Sequence, residues 1–216
     1  MRVKRESVLR VDVPNPVAGA EAIIAEIARS VSNRPRNVVA VDGGSGAGKT
    51  LLTAEFAKRV NSVVITTDDF CVVDVTDEEW LSATPSERAS RIINWERLRR
   101  EAIEPLRAGH SIDYQTYDNP IRIINGSVVT HSVRRDPANL IVLDGIYSSR
   151  PEISDLIDLS VLVDVEPAVR AQRHNAREKS EDLAWHAIWD PAEDFYFSEV
   201  RPPEYFGLVI SMASAR

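Results

Sequence analysis

The sequence predicts an α/β fold of three layers, a mostly parallel sheet covered by helices on both faces. Three observations point to it. A glycine-rich run, Gly43-Gly44-Ser45-Gly46-Ala47-Gly48-Lys49-Thr50, stands between an apolar strand pattern and a helical one. Short apolar runs recur at 37–42, 63–67, 140–144, 159–164 and 208–210, without the alternation of a half-exposed strand. Segments of helical periodicity separate most of them. Unbroken apolar runs suit strands buried on both faces, and strands that alternate with helices form parallel sheets.

The elements follow in order. Residues 7–13 predict a strand that stops at Pro14 and Pro16, since proline has no N–H for a ladder. Val17, Ala20, Ile23, Ile24, Ile27, Ala28 and Val31 recur at helical spacing and predict a helix over 17–32. Strand, glycine-rich loop and helix then occupy 36–60. Val63-Val64-Ile65-Thr66-Thr67 is a second strand, with Asp68-Asp69-Phe70 at its C-terminal end. Residues 77–108 are largely helical, broken near Thr84-Pro85 and capped by Gly109. Asn125-Gly126 between two β-rich runs, 121–124 and 127–130, is a strong hairpin signal. Leu140–Asp144 and Leu159–Asp164 are buried parallel strands. Helices follow over 167–179 and from 181, and 208–210 is a last short strand. The whole of 1–216 is expected to be one domain. Within it, 1–35 is an N-terminal strand and helix extension, 110–135 a β-hairpin excursion, and 166–200 a helical lid.

Composition sets the outer bounds. The chain has 216 residues, 44% hydrophobic, enough for one α/β domain with a full core. A net charge of −7 gives no support for a nucleic-acid partner. No apolar stretch is long enough to span a membrane, and the basic N-terminus is not followed by a signal-peptide core. The single cysteine, Cys71, excludes an internal disulfide, and a reducing cytoplasm is the expected location.

The glycine-rich run fits G-x-x-x-x-G-K-[ST], the phosphate-binding P-loop, in its required strand–loop–helix setting. Glycines let the backbone curl until its N–H groups converge on phosphate oxygens, and the next helix adds its positive end. Lys49 can reach the β- and γ-phosphates and the Thr50 hydroxyl can hold Mg²⁺. Gly43, Gly44, Ser45, Gly46, Ala47, Gly48, Lys49, Thr50 and the nearby Thr53 are thus the candidate nucleotide contacts.

Phosphoryl transfer also needs a metal holder and, for an alcohol acceptor, a base. Asp144 ends an apolar strand, where an acid can position Mg²⁺. Asp68 ends the second strand near the expected γ-phosphate and is the candidate base. Asp69 is its rival, since spacing alone does not separate adjacent acids. Asp42, directly before the loop, reads as structural. Arg170, Arg173 and Arg177 share one helical face, suited to closing over phosphates. Trp185 and Trp189 either line the acceptor pocket or pack the helix on the core, and their spacing with Ile188 favours packing.

With the P-loop, Thr66-Thr67-Asp68-Asp69-Phe70, Tyr117-Asp118, Leu143-Asp144-Gly145-Ile146 and Val163-Asp164 through Arg177 in order, the chain resembles the uridine kinase and phosphoribulokinase group over about 36–211. That resemblance implies a P-loop NTPase fold, ATP·Mg²⁺ as donor and a primary hydroxyl of a small molecule as acceptor. It favours Asp68 over Asp69 as base, makes Asp144 the metal acid and Tyr117 an acceptor contact. It carries the lid arginines onto Arg170, Arg173 and Arg177, with Arg177 foremost for ATP. It also makes a homo-oligomer an expectation, though no residues identify an interface. The departures fall on the acceptor side. Asn94 stands where the group usually has an acid that grips ribose. Asn119-Pro120-Ile121-Arg122 lacks the usual histidine. His174 replaces a lid arginine, and Cys71 follows Phe70.

The leading expectation is therefore an ATP-dependent kinase that phosphorylates the 5′-hydroxyl of a pyrimidine nucleoside, with Asn94, Tyr117, Arg170 and His174 on the substrate side. One alternative keeps the chemistry and changes the acceptor to a sugar, a pantothenate-like alcohol or a specialised nucleoside. The other is a nucleotide-binding switch with slow hydrolysis, weakened by the absence of a guanine-reading Asn-Lys-x-Asp run.

Overall fold

The computed structural model of the chain describes residues 8–31, 35–117, 123–124, 127–178 and 183–212. Strand β1 (Leu9–Val13) leads into helix α1 (Pro16–Ser30). Asn15 caps that helix by accepting from Ala18 N, and Pro16 fits the first turn, where an N–H has no partner. Strand β2 (Asn37–Asp42), helix α2 (Lys49–Ala57) and strand β3 (Ser62–Thr66) follow. After a 3₁₀ turn at Thr67–Phe70 come α3 (Asp77–Ser82), α4 (Pro85–Arg91), α5 (Trp95–Leu98) and α6 (Glu104–Ala108). Then come β4 (Ile112–Tyr117), β5 (Ile123–Ile124), β6 (Ser127–Val128), β7 (Thr130–Arg135), β8 (Leu140–Asp144) and β9 (Leu159–Asp164). Helix α7 (Pro167–Glu178) precedes α8 (Leu183–Phe195), which runs on as a π-helical turn, Tyr196–Val200, before β10 (Leu208–Met212).

The main sheet has the order β1-β10-β9-β2-β8-β3, and every neighbouring pair in it is parallel. Strand β2 explains why it is covered on both sides. Val39 and Val41 belong to a core with Ala20, Ile23, Leu52 and Phe56 of α1 and α2. Val38 and Ala40 belong to the opposite core, with Leu98, Ala102, Ile103 and Leu106 of the α5–α6 segment. One strand feeds two cores because successive side chains point to opposite faces. The three-layer α/β/α architecture expected of a P-loop fold is thus present.

Several elements differ in detail from the sequence reading. The second strand ends at Thr66, because Thr67 opens the 3₁₀ turn that carries Asp68 and Asp69. The helical stretch 77–108 has a second break at 92–94. There Val72 N donates to Ile92 O (2.8 Å) and Asn94 N to Phe70 O (2.9 Å), so backbone bonds to the segment after Asp69 replace helical ones. Strand β4 lies within the β-hairpin excursion expected over 110–135, where it pairs antiparallel with β7 and presents Ile112, Tyr114 and Thr116 inward. The short strands β5 and β6 pair beside the predicted hairpin turn, whose Asn125 and Gly126 lie outside the described residues. The N-terminal segment is no appendage: β1 pairs with β10 along its whole length, and α1 helps seal one core. Among the described residues no helix is long and apolar enough to cross a membrane.

Candidate active site

The glycine-rich loop lies at the C-terminal end of β2, between the ends of β9 and β8. Open parallel sheets bind ligands at such strand ends. Gly48, at φ 91°, turns the chain into α2, a conformation that glycine adopts without strain. The two halves of the loop are treated differently. In the first half, Gly43 N donates to Asp42 Oδ1 (2.8 Å) and Ser45 N to both oxygens of Glu193 (3.2 and 3.1 Å). In the second half, the N–H groups of Gly46, Gly48, Lys49 and Thr50 take no acceptor among the described residues. Those open donors, at the start of α2, form a nest suited to phosphate. Lys49 folds over it, donating to Gly43 O (2.8 Å) and Gly44 O (3.1 Å). Thr50 is exposed at the rim.

Asp42 underpins the loop. It is fully buried and accepts from Gly43 N, Tyr147 N, Ser149 N and the Tyr196 hydroxyl. Burial pushes its pKa up, while those donors and Lys49 oppose the shift.

Asp144, at the end of β8, is also buried, and its Oδ2 accepts from the Thr53 hydroxyl at 3.0 Å. Its other oxygen, Oδ1, has no hydrogen-bond partner. Burial raises the Asp144 pKa, with Lys49, Thr53 and Thr50 opposing. Thr50 is close enough to favour the charged carboxylate without reaching hydrogen-bond geometry. A buried carboxylate oxygen without a partner, beside a threonine hydroxyl, is an all-oxygen donor set that fits Mg²⁺. Among the described residues no cluster of three or more His, Cys, Asp or Glu could hold a metal. Mg²⁺ bound here would complete its shell with phosphate oxygens and water, as it commonly does.

The adjacent acids at the end of β3 separate cleanly. Asp69 accepts from the Tyr114 hydroxyl (2.7 Å) and the Thr116 hydroxyl (3.2 Å), both from the inward face of β4. The Asp68 carboxylate accepts no hydrogen bond among the described residues. Asp68 is exposed at the mouth of the cleft, and the protein mass around it displaces part of its hydration and raises its pKa. Asp144 and Asp69 add repulsion, while Lys49 and Arg177 pull the pKa down. Asp68 therefore senses the charges of the loop lysine, the β8 acid and an arginine of α7. Beside it, Tyr117 donates to Asp68 O at 3.1 Å and lies close to the Cys71 thiol. Burial pushes the Cys71 thiol up to about 12 and the Tyr117 phenol well above its ordinary value. Asp118 and Arg122 lie outside the described residues.

The remaining expected site residues scatter. Asn94 spends its side-chain oxygen as the N-cap of α5, accepting from Arg97 N at 2.9 Å. His174 is buried between α7 and α8, its ring stacked on Trp185 at 4.1 Å and edge-on to His186 at 5.2 Å. Arg173 is half-buried on α7. Arg170 sits on the loop, donating to Ser45 O (3.4 Å) and Glu193 (2.8 Å). A Cβ on Gly46 would overlap the Arg170 carbonyl, so glycine there admits α7 to the loop. Trp189 packs on Trp80 and Ile188 is buried, so that face of α8 meets protein.

Glu193, Tyr114 and Thr116 escaped the sequence reading. Glu193 had a usable signal. It interrupts the apolar stripe Ile188, Trp189, Ala192, Tyr196, and a carboxylate on a buried face requires a partner.

The loop, the buried Asp144 and the free Asp68 carboxylate stand on the sheet of a P-loop kinase fold. The family model "Phosphoribulokinase / Uridine kinase family" matches residues 38–182. A uridine kinase of Halobacterium salinarum is 30% identical over 179 residues, covering 78% of this chain and 72% of that protein. A uridine kinase of Staphylococcus haemolyticus is 28% identical over 150 residues, 67% of this chain and 69% of that protein. A solved structure described as "a Possible Uridine Kinase" from Bacillus stearothermophilus superposes with a TM-score of 0.64 at 18% identity, covering 91% of this chain and 100% of that one. That last likeness speaks for the fold alone. The chain belongs to the phosphoribulokinase/uridine kinase family of kinases.

Proposed function

We propose that the chain is an ATP·Mg²⁺-dependent kinase that transfers the γ-phosphoryl group to the hydroxyl of a small molecule, with the 5′-hydroxyl of a pyrimidine nucleoside as leading acceptor. The observation that carries this reading is the contrast at the end of β3. Asp69 is held by two hydroxyls, whereas Asp68 is left free beside Lys49 and Asp144. A free carboxylate of raised pKa at that place suits a general base for an alcohol.

Each residue has a role in this scheme. Gly43 to Thr50 cradle the triphosphate. Lys49 leaves the loop carbonyls for the β- and γ-phosphates. Asp144 and Thr50 would hold Mg²⁺, which would supply charge neutralisation for the triphosphate, while Thr53 orients Asp144. Asp68 accepts the acceptor's hydroxyl proton as the new O–P bond forms and the bond to the ADP oxygen breaks. Arg173 and Arg177 stabilise charge on the transferring group, and Tyr117 lines the acceptor side. Uridine kinase relatives support the pyrimidine acceptor.

A second reading changes only the acceptor, to a sugar, a pantothenate-like alcohol or another nucleoside. It is favoured by Asn94, whose oxygen is committed to Arg97 N and is no carboxylate grip for ribose hydroxyls. The test is ADP formation with ATP·Mg²⁺ against uridine, cytidine, other nucleosides, pantothenate, glycerate and simple sugars, with the phosphorylated product identified by mass. Phosphorylation of uridine or cytidine is expected. Phosphorylation of another class alone supports the second reading, and ATP turnover that no acceptor stimulates counts against both.

A further inference from the structure

Ser45, in the first half of the loop, has both its backbone groups bonded by side chains from elsewhere. Glu193 of α8 accepts from its N–H, and Arg170 of α7 donates to its carbonyl. The two side chains pair at 2.8 Å, with side-chain exposures of 3% for Glu193 and 16% for Arg170. A carboxylate taken that far from water costs several kcal/mol unless paired, and an apolar residue of the same size would pack there more cheaply. Nothing in the core of α8 needs this charge. Among the described residues its hydrogen bonds go to the loop and to Arg170.

The same helix face reaches the loop twice. Glu193 and Tyr196 lie one turn apart, and the Tyr196 hydroxyl donates to Asp42 at 2.6 Å. Asp42 in turn accepts from Gly43 N. Two buried carboxylates, one held by α8 and one carried on it, thus occupy the N–H groups of Gly43 and Ser45. The donors of the second half are left open for phosphate. A Cβ on Gly44 would overlap the Arg170 guanidinium, so the fit is close.

We propose that Glu193 is a positioning residue for phosphoryl transfer: it fixes the first half of the loop and the Arg170 side chain, so that the open N–H groups meet the triphosphate already arranged. The inference rests on ATP binding at the loop, the reading given above. Preorganised donors bind without a reorganisation cost, so losing Glu193 should weaken ATP binding and leave the acceptor site alone.

The experiment is calorimetric titration of ATP·Mg²⁺ into wild-type protein, E193Q, E193A, R170A and the R170A/E193A double variant, with steady-state kinetics and thermal melting alongside. E193A is expected to weaken ATP binding about tenfold or more, with acceptor KM within twofold of wild type. E193Q keeps an oxygen for Ser45 N–H but loses the ion pair, and should fall between them. The double variant should bind no more weakly than the poorer single variant, because the pair acts as one unit. ATP affinity in E193Q and E193A equal to wild type would overturn the proposal. Tighter binding would also overturn it, making Glu193 a competitor for the loop. If E193A does not fold, near-isosteric E193Q decides alone by the same criteria. Failure of wild-type protein to bind ATP would remove the nucleotide reading and this proposal with it, and that arm is read before any variant.

Discussion

Asp68 and Asp69 are neighbours in the chain with opposite surroundings, and the difference comes from β4. Tyr114 and Thr116 reach one carboxylate and leave the other to the cleft. Asp68→Asn is expected to cut kcat about 10²–10⁴-fold with little change in the KM for ATP. A base works deprotonated, and partial loss of hydration in the cleft raises the Asp68 pKa above its ordinary 3.8. Activity should therefore fall with decreasing pH along a limb displaced upward from the usual aspartate range. A pH profile of kcat/KM that keeps this limb in Asp68→Asn would assign it to another group. Asp42 makes a different kind of prediction. It accepts four hydrogen bonds, and an amide in its place would turn a donor toward two of them. Asp42→Asn should cost about 2–4 kcal/mol of folding stability, measured by denaturant titration. The sequence placed the loop residues, Asp68 and Asp144 on the same edge of the sheet because a fixed spacing carries them. Spacing could not separate Asp68 from Asp69, which only the family resemblance favoured, since the deciding hydroxyls lie more than forty positions away.

At the scale of elements, α8 is the helix that ties the molecule's two sides together. Arg88, buried on α4, donates to the carbonyls of Trp80, Leu81 and Ile188, and Trp80 packs on Trp189 at 5.2 Å. The segment following Asp68 is thereby joined to the helix that carries Glu193. Arg88→Ala would strand three carbonyls and open a void, at a cost of about 3–5 kcal/mol. Arg88→Lys should recover little of it, because one ammonium group does not reproduce the planar fork. Thermal melting of both variants checks this. The helical periodicity of α8 was legible, as was the packing of Trp189 and Ile188. Strand β4 was legible only as part of the hairpin excursion over 110–135, because its inward face mixes Ile112 with Tyr114 and Thr116, and the outward residues are polar. The break at Ile92–Asn94 was hidden, since it is made by backbone bonds to a segment twenty or more residues earlier.

Across the whole molecule, the family match begins at residue 38, yet the sheet begins at Leu9. Strand β1 gives β10 a parallel neighbour, and Ala20 and Ile23 of α1 are fully buried against α2 and the sheet. A chain lacking residues 1–35 would expose that core and leave β10 as a bare edge. Such a truncation is expected to lose its cooperative unfolding transition or aggregate. A truncated protein that melts like the full chain would contradict the role given to this segment. The resemblance noted from motifs covers the loop, Asp144 and Asp68, which are local features. The N-terminal packing and the Glu193–Ser45 contact join residues distant in sequence, and spacing carries no record of them.

The central claim is that Asp68 serves as base for an acceptor alcohol at an ATP·Mg²⁺ site. Its most direct test is uridine-dependent ADP formation by wild-type protein and Asp68→Asn, with ATP affinity measured on both. The account predicts stimulation by uridine in the wild type, its loss in the variant and matched ATP affinity. Equal uridine-stimulated turnover in the two proteins would contradict it.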